Sequence, residues 1–566
     1  MKKNLLSLSI GAAVAGLTLA GAANAAVSIS GTGPLSANTF TATTAGATLE
    51  LNPGGIGHIG VIPYFSTQNG NQTLFSITNS DTVNGKAVKV RFRSAANSDD
   101  IFDFTLFLSP GDIWTANISR DPTTGTSRLV TTDNSCTLPG IAALNRGFVD
   151  ARLPAGFTAA QKAEWTREGY VEVLTMADIP PTAGTAAAPD LYYATKHVGG
   201  VAPCTDSVLS KLTVPANFAD EASARALGFD TPSTGLYTNA FIINTANAFL
   251  SWSNESTAVQ AVTAATGVAA RGRFVFAAQT NDAVQTTAAN LLTADPLLVG
   301  GFSTNGGVVA ATVPPLEFDF PDLSTPYTGT APLATTGTGS PAAQATRLSG
   351  SLATTSVKND YSTLAAIGSK TDFTFSLPTR RYHAVVSYVG APNGIGGGAP
   401  VAGPIAVYST APTFTGRTFF IASNTSLQGN LLCVNTGSAA PVTAFDRSER
   451  TVTTGNGAVV SPGTGTAPLS FCGEVSVLTI NGNASNPAGN GVLGAAVAAK
   501  DVFTSYQEGW LTIATPGPFV DAGNAGGLPV LGSAYTSAIG SPANGVSTNY
   551  SWAFKHKTTP SLVANP

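Results

Sequence analysis

The stretch VIPYFSTQNGNQTLFSITNS, Val61 to Ser80, followed from Asn84 by NGKAVKVRFRSA, decides the fold class. Phe75 and Ile77 alternate with Ser76 and Thr78, and Val88, Val90 and Phe92 alternate with Lys89, Arg91 and Arg93. A period of two marks strands whose two faces differ, because successive side chains leave a strand on opposite sides. Asp81 to Gly85 contains Asn-Gly, a strong turn signal, so the two runs are expected to form a hairpin. The preceding loop, Asn69, Gly70 and Asn71, is the part of the stretch placed to touch a partner. The basic row Lys89, Arg91, Arg93 reads as a solvated face in preference to a site for an anionic polymer, since charged residues on strands usually meet water.

Working outward, Ile101 to Leu108 carries Phe102, Phe104, Leu106 and Leu108 on one side, and Ser109-Pro110-Gly111-Asp112 turns the chain into Ile113 to Ile118 around Trp114. Short strands at this spacing predict a mainly β protein of antiparallel β-sandwich (Ig-like) domains with a few short helices. Thr158-Ala159-Ala160-Gln161 has the form of a capping box and predicts a helix over Gln161 to Glu168, and Asp220 to Leu227 predicts another. Strand character returns at Leu236 to Trp252, Phe373 to Phe375, Ala384 to Val389, Thr418 to Ala422, Val475 to Ile480 and Trp510 to Ala514. Thr328 to Gly350, rich in Thr, Ala, Gly and Pro, reads as a linker or long surface loop. The chain is too long for one small sandwich. The expected plan is residues 26–270 as an N-terminal sandwich-rich domain, 271–350 as a loop-rich connection and 351–566 as a C-terminal β-rich domain.

The first residues set the compartment. Lys2 and Lys3 precede an apolar run from Leu5 to Ala20, and Ala23-Asn24-Ala25 supplies the small residues a signal peptidase needs, so residues 1–25 are expected to be a signal peptide. No later segment is apolar enough to predict a membrane helix. Only 11% of the 566 residues are charged, and the formal charge of −4 becomes −6 once Lys2 and Lys3 are removed. With no basic tail or stripe, a nucleic-acid partner is not expected. Thr, Ser, Asn and Gln dominate the polar residues and suit the surface of extracellular strands and turns.

Four cysteines, Cys136, Cys204, Cys433 and Cys472, fit an oxidising compartment. Three pairings are open; Cys136–Cys204 with Cys433–Cys472 is favoured because each bond then closes a loop within one half of the chain. His58, His197, His383 and His556 are scattered, and none has zinc-site spacing to a cysteine.

Several runs carry a family resemblance. They are Pro63-Tyr64-Phe65, Thr73 to Asn79, Lys86 to Phe92, Asp103 to Pro110, Asp112 to Thr115, Asp133 to Thr137, Glu168 to Val173, Pro321 to Pro326, Phe445-Asp446-Arg447 and Leu528-Pro529-Val530. Together they resemble a family of secreted proteobacterial cell-surface or surface-layer proteins. The resemblance implies a place on the outer face of a Gram-negative cell and implies no chemistry. The family often has an acidic residue directly after Phe-Asp-Arg, whereas Ser448 follows here.

No GxSxG, HExxH or P-loop motif occurs. The best carboxylate cluster is Glu317, Asp319 and Asp322 in LEFDFPD, where the favoured reading is solvated acids at a strand end with an Asx-type turn. Its sharper readings are three oxygens for calcium, or a glycosidic acid–base pair of a secreted hydrolase. Tyr64, Phe65 and Trp114 read as core in preference to a sugar-stacking platform. The expected function is a secreted, non-enzymatic structural or adhesive protein that assembles with itself at the cell surface, because few charges must be desolvated at a contact. The alternative is a module that binds extracellular polysaccharide.

Overall fold

The computed structural model describes most of residues 46–561 together with 29–30; the longer stretches outside the described residues are 1–28, 31–45, 278–296, 312–320, 329–340, 410–418, 454–468, 482–490, 541–548 and 562–566. The signal peptide expected over residues 1–25 therefore lies outside them. The fold is mainly β and of sandwich type, with antiparallel sheets and a few short helices. Among the described residues no helix is long and apolar enough to cross a membrane.

The N-terminal half contains twelve strands used below: β1 (Thr48–Leu51), β2 (Ile59–Ser66), β3 (Asn71–Asn79), β4 (Gly85–Ser94), β5 (Asp100–Leu108), β6 (Ile113–Arg120), β7 (Ser127–Val130), β8 (Cys136–Leu138), β9 (Glu168–Ile179), β10 (Leu236–Asn244), β11 (Leu250–Glu255) and β12 (Thr257–Val262). They form a seven-stranded sheet in the order β1-β12-β2-β9-β4-β5-β8 and a five-stranded sheet in the order β11-β10-β3-β6-β7. Phe65, Val88, Val90, Phe92 and Phe104 from the first pack against Phe75, Ile77, Trp114 and Ile118 from the second. Tyr64, Phe65 and Trp114 are fully buried, as expected for core.

The expected hairpin is absent. β3 pairs with β10 and β6, whereas β4 pairs with β9 and β5 in the other sheet. The Asn-Gly turn is part of an arch between the two sheets. Asp81 Oδ1 shapes the arch by accepting from the Val83 and Asn84 amides at 2.8 and 3.0 Å, an Asx turn that serves a crossover as well as a hairpin.

The C-terminal half adds β13 (Ala353–Ser362), β14 (Ser369–Ser376), β15 (Val442–Phe445), β16 (Thr451–Thr453), β17 (Val475–Asn481), β18 (Ala499–Phe503), β19 (Glu508–Ala514), β20 (Pro516–Asp521), β21 (Asn524–Pro529), β22 (Ser533–Ile539), β23 (Asn549–Lys555) and β24 (Lys557–Pro560). One sheet runs β18-β17-β14-β22-β23; the other runs β16-β15-β19-β13-β21-β20, with β24 also pairing β13. Phe373, Phe375 and Leu478 of the first meet Val357, Leu511 and Leu528 of the second in their own core. Phe419 and Phe420 enter this core from outside any strand, so of the strand expected over Thr418 to Ala422 the described part, 419–422, is not strand.

A third core lies between the halves. Ile59, Val61, Tyr64, Tyr170 and Leu174 from the seven-stranded N-terminal sheet meet Val475, Val477 and Tyr535 from the five-stranded C-terminal sheet. Four sheets are thus layered, and the two middle ones are covered on both faces. Trp252 seals one side of the seam: it is fully buried and its indole N–H donates to the Thr536 carbonyl at 2.8 Å.

The helices are short. α1 (Ala159–Trp165) begins at the capping box expected from Thr158 and Gln161, and α2 (Glu221–Ala226) lies where a helix was read. α3 (Pro341–Leu352) replaces the end of the loop expected over 328–350. Proline suits the first helical position because its missing N–H has no partner there anyway, and Ala345, Leu348 and Leu352 are buried against the seam.

Candidate functional site

The outer face of the five-stranded N-terminal sheet carries a groove of about 410 Å³. Register alone builds it. Phe241 on β10, Leu74 on β3, Asn117 on β6 and Val130 on β7 stand abreast, and Asn239, Ser76 and Thr115 form the next row. Three strand spacings of about 4.8 Å make the row about 14 Å wide. Phe241 is 46% exposed, and none of the lining side chains is charged. Asn117 donates from Nδ2 to Gln72 Oε1 at 3.0 Å, while its Oδ1 is shielded from solvent and accepts no hydrogen bond among the described residues. That oxygen is out of reach of a ligand, so the amide the groove presents most openly is that of exposed Asn239. The chemistry on offer is an aromatic face, two amides and several hydroxyls, with no acid, base or nucleophile. Alternation on β3 and β6 marked these residues as outward-facing, but pairing of β10 with β3 was not legible from sequence.

The basic row is a correction. Lys89, Arg91 and Arg93 are buried, not solvated, because their sheet is an inner layer. Lys89 pairs with Asp103 at 2.5 Å, Arg91 with Asp100, and Arg93 with Glu172 at 3.4 Å. A bulge at the Phe92/Arg93 step turns Asp100 to the same face as Asp103. Burial pushes Glu172 up to about 7 against the pull of Arg93, and burial lowers Lys89. From the other half, Arg381 pairs with Asp322 at 3.1 Å and Arg380 with Glu474 at 3.0 Å. The cluster fastens two halves of the protein and presents nothing to solvent. The acidic residues in DIFDF and EGYVEV, set on strands otherwise as apolar as the basic one, were the signal that could have exposed it.

Of the carboxylates singled out in the sequence, Glu317 and Asp319 lie outside the described residues. Asp322 forms the expected Asx turn, with Oδ1 accepting from the Ser324 amide at 2.9 Å, but it is buried and not a solvated acid. Its oxygens are engaged by Ser324 and Arg381. No group of three His, Cys, Asp or Glu able to hold a metal ion occurs among the described residues. Of the loop residues, Gly70 is exposed with a positive φ of 79°, whereas Asn71 is buried and donates to the Leu493 carbonyl at 2.7 Å. Asn69 sits against Gly494, where an added Cβ would lie 2.4 Å from the Asn69 Cβ. What this loop touches is the chain's own C-terminal half.

The cysteines form the favoured pairs, Cys136–Cys204 and Cys433–Cys472. Burial holds His58, His383 and His556 down at about 3, 4 and 4. His197 meets Ser109 Oγ at 2.8 Å and Asp112 Oδ2 at 3.4 Å, but both approach the same nitrogen, Nδ1. A proton relay needs them on opposite ring nitrogens, so this grouping is not a catalytic triad.

Fold and groove define a layered β-sandwich protein with an uncharged, aromatic-edged trough on one outer sheet. Comparison with family models, with curated proteins and with solved structures found no match to the chain.

Proposed function

We propose that the protein works outside the cell as a non-catalytic surface protein that holds a neutral polysaccharide in the groove of the five-stranded sheet. The observation that carries this reading is the pairing of an exposed ring, Phe241, with the exposed amide of Asn239 two residues along the same strand face, in a trough lined by no charge. A sugar ring offers a C–H face to an aromatic and hydroxyls to amides, and a neutral one meets no unpaired charge. The export signal read at residues 1–25 agrees with an extracellular ligand. Affinity electrophoresis through gels containing neutral or acidic polysaccharides tests it. The mature chain should be retarded by a neutral polymer, and Phe241→Ala should abolish the retardation; equal migration in every gel would remove the reading.

A second reading, self-association at the cell surface, is favoured by one feature. Tyr550 and Phe554 on β23 are 62% and 50% exposed, with Trp552 between them on the same face. Sedimentation of wild type and Tyr550→Ser/Phe554→Ser, with and without calcium, tests this: wild type alone should associate. A chain that stays monomeric throughout would sink it.

A further inference from the structure

Near the start of β4 and the end of β9, Lys86 and Asp178 are direct register partners. Both side chains are buried, at 0% and 1% exposure, and Lys86 Nζ lies 2.8 Å from Asp178 Oδ1. The other carboxyl oxygen already sits among donors: Asp178 Oδ2 accepts from the Ser233 amide at 3.1 Å and from Ser233 Oγ at 2.6 Å, with Arg271 Nη1 at 3.7 Å. A second carboxylate stands beside the amine. Asp81 Oδ2 is 4.0 Å from Lys86 Nζ and 3.4 Å from Ser233 Oγ. Four segments of chain thus bring together an amine, a carboxyl group, an oxyanion cradle and a proton carrier.

We propose that Lys86 and Asp178 condense into an intramolecular amide, a covalent cross-link between β4 and β9. The reaction starts with transfer of one proton from the ammonium to the carboxylate it touches, which gives the neutral amine and acid that can condense. Nζ attacks Cγ of Asp178 and the new C–N bond forms. The developing negative charge on Oδ2 is held by the Ser233 N–H and hydroxyl, donors in place before the reaction begins, with the Arg271 charge 3.7 Å away. Asp81 takes a proton from Nζ and returns it to Oδ1, the Cγ–Oδ1 bond breaks, and Oδ1 leaves as water. Of the three ammonium protons, one stays in the amide and two leave in that water. No oxidant, reductant or further group takes part. The product bridges positions 92 residues apart and, unlike the two disulfides, survives a reducing environment.

The test is the intact mass of the folded, secreted chain with both disulfides formed, followed by peptide mapping. The expected mass is lower than the sequence requires by one water, with a branched peptide joining Lys86 to Asp178. Asp178→Asn should reach the identical final mass by releasing ammonia. Lys86→Met should show its full mass, and Asp81→Ala, which keeps both bonding residues, should remain largely unlinked. The wild-type measurement decides alone, so misfolding of a variant does not rescue the idea. Wild type at full mass with Lys86 in a linear peptide overturns it. So does a mass loss mapping to Asn84-Gly85, where succinimide formation also removes a small molecule.

Discussion

Arg381 is a buried cation at the seam between the halves. Its guanidinium lies 3.1 Å from Asp322, both side chains are 1% exposed, and it also holds down Glu172 and Glu474. At that distance and an effective dielectric of about 20, the pair attraction is about 5 kcal/mol. Arg381→Met keeps most of the volume and removes the charge, leaving Asp322 buried without its cation. The expected loss of stability at pH 7 is about 3–5 kcal/mol. The pH dependence carries a second signature. A carboxyl raised in the folded state binds a proton that the unfolded chain releases, so its stabilisation is present at low pH and lost as pH rises. For Glu172 that window runs from its ordinary 4.5 to about 7. Without Arg381 the neighbouring carboxyls rise further, so the deficit should be largest at pH 7 and shrink toward pH 5. Urea unfolding followed by tryptophan fluorescence at both pH values measures it. A deficit below about 1 kcal/mol at pH 7, or one equal at the two pH values, would refute the reasoning. Arg381→Met/Asp322→Leu, which removes both charges, should be less destabilised than Arg381→Met alone.

Trp252→Ala should cost about 3–5 kcal/mol, since it empties a buried site at the seam; Trp252→Phe should recover part of this while leaving the Thr536 carbonyl without its donor, and the same urea midpoints read both. Replacing Cys433 and Cys472 by serine frees a separation of 39 residues, which chain entropy converts to about 4 kcal/mol; a midpoint unchanged by the substitution would contradict it. His58, His383 and His556, held at about 3, 4 and 4, are neutral when folded and charge when unfolded. Their contribution is therefore present above about pH 6.5 and lost as pH falls toward 4. Side-chain NMR should show three imidazoles that do not titrate above pH 5; any of the three titrating near its ordinary value would be a failure.

The limits of the sequence reading have physical causes. Alternation at Phe75/Ile77 and Val88/Val90/Phe92 located strands and one buried face correctly, because the period of two is set by the backbone. It could not tell which sheet each strand joins, so an arch was read as a hairpin. Nor could it tell that the second face of β4 is also covered, because a polar face looks the same whether water or a complementary row of charge meets it. Lys89, Arg91 and Arg93 were misread for that reason. Cysteine pairing was legible from loop length, and the Asx turn at Asp322 from local chemistry. The groove depended on bringing Phe241 beside Leu74 across 167 positions of chain, a long-range pairing that no local pattern encodes.

The measurement that bears most directly on the central claim is calorimetric titration of the full mature chain with neutral and acidic oligosaccharides, alongside Phe241→Ala and Asn239→Ala. The account predicts binding of a neutral oligosaccharide that both substitutions weaken at least tenfold, about 1.4 kcal/mol, with the fold unchanged by circular dichroism. Binding confined to acidic sugars, or neutral binding that neither substitution alters, would contradict it.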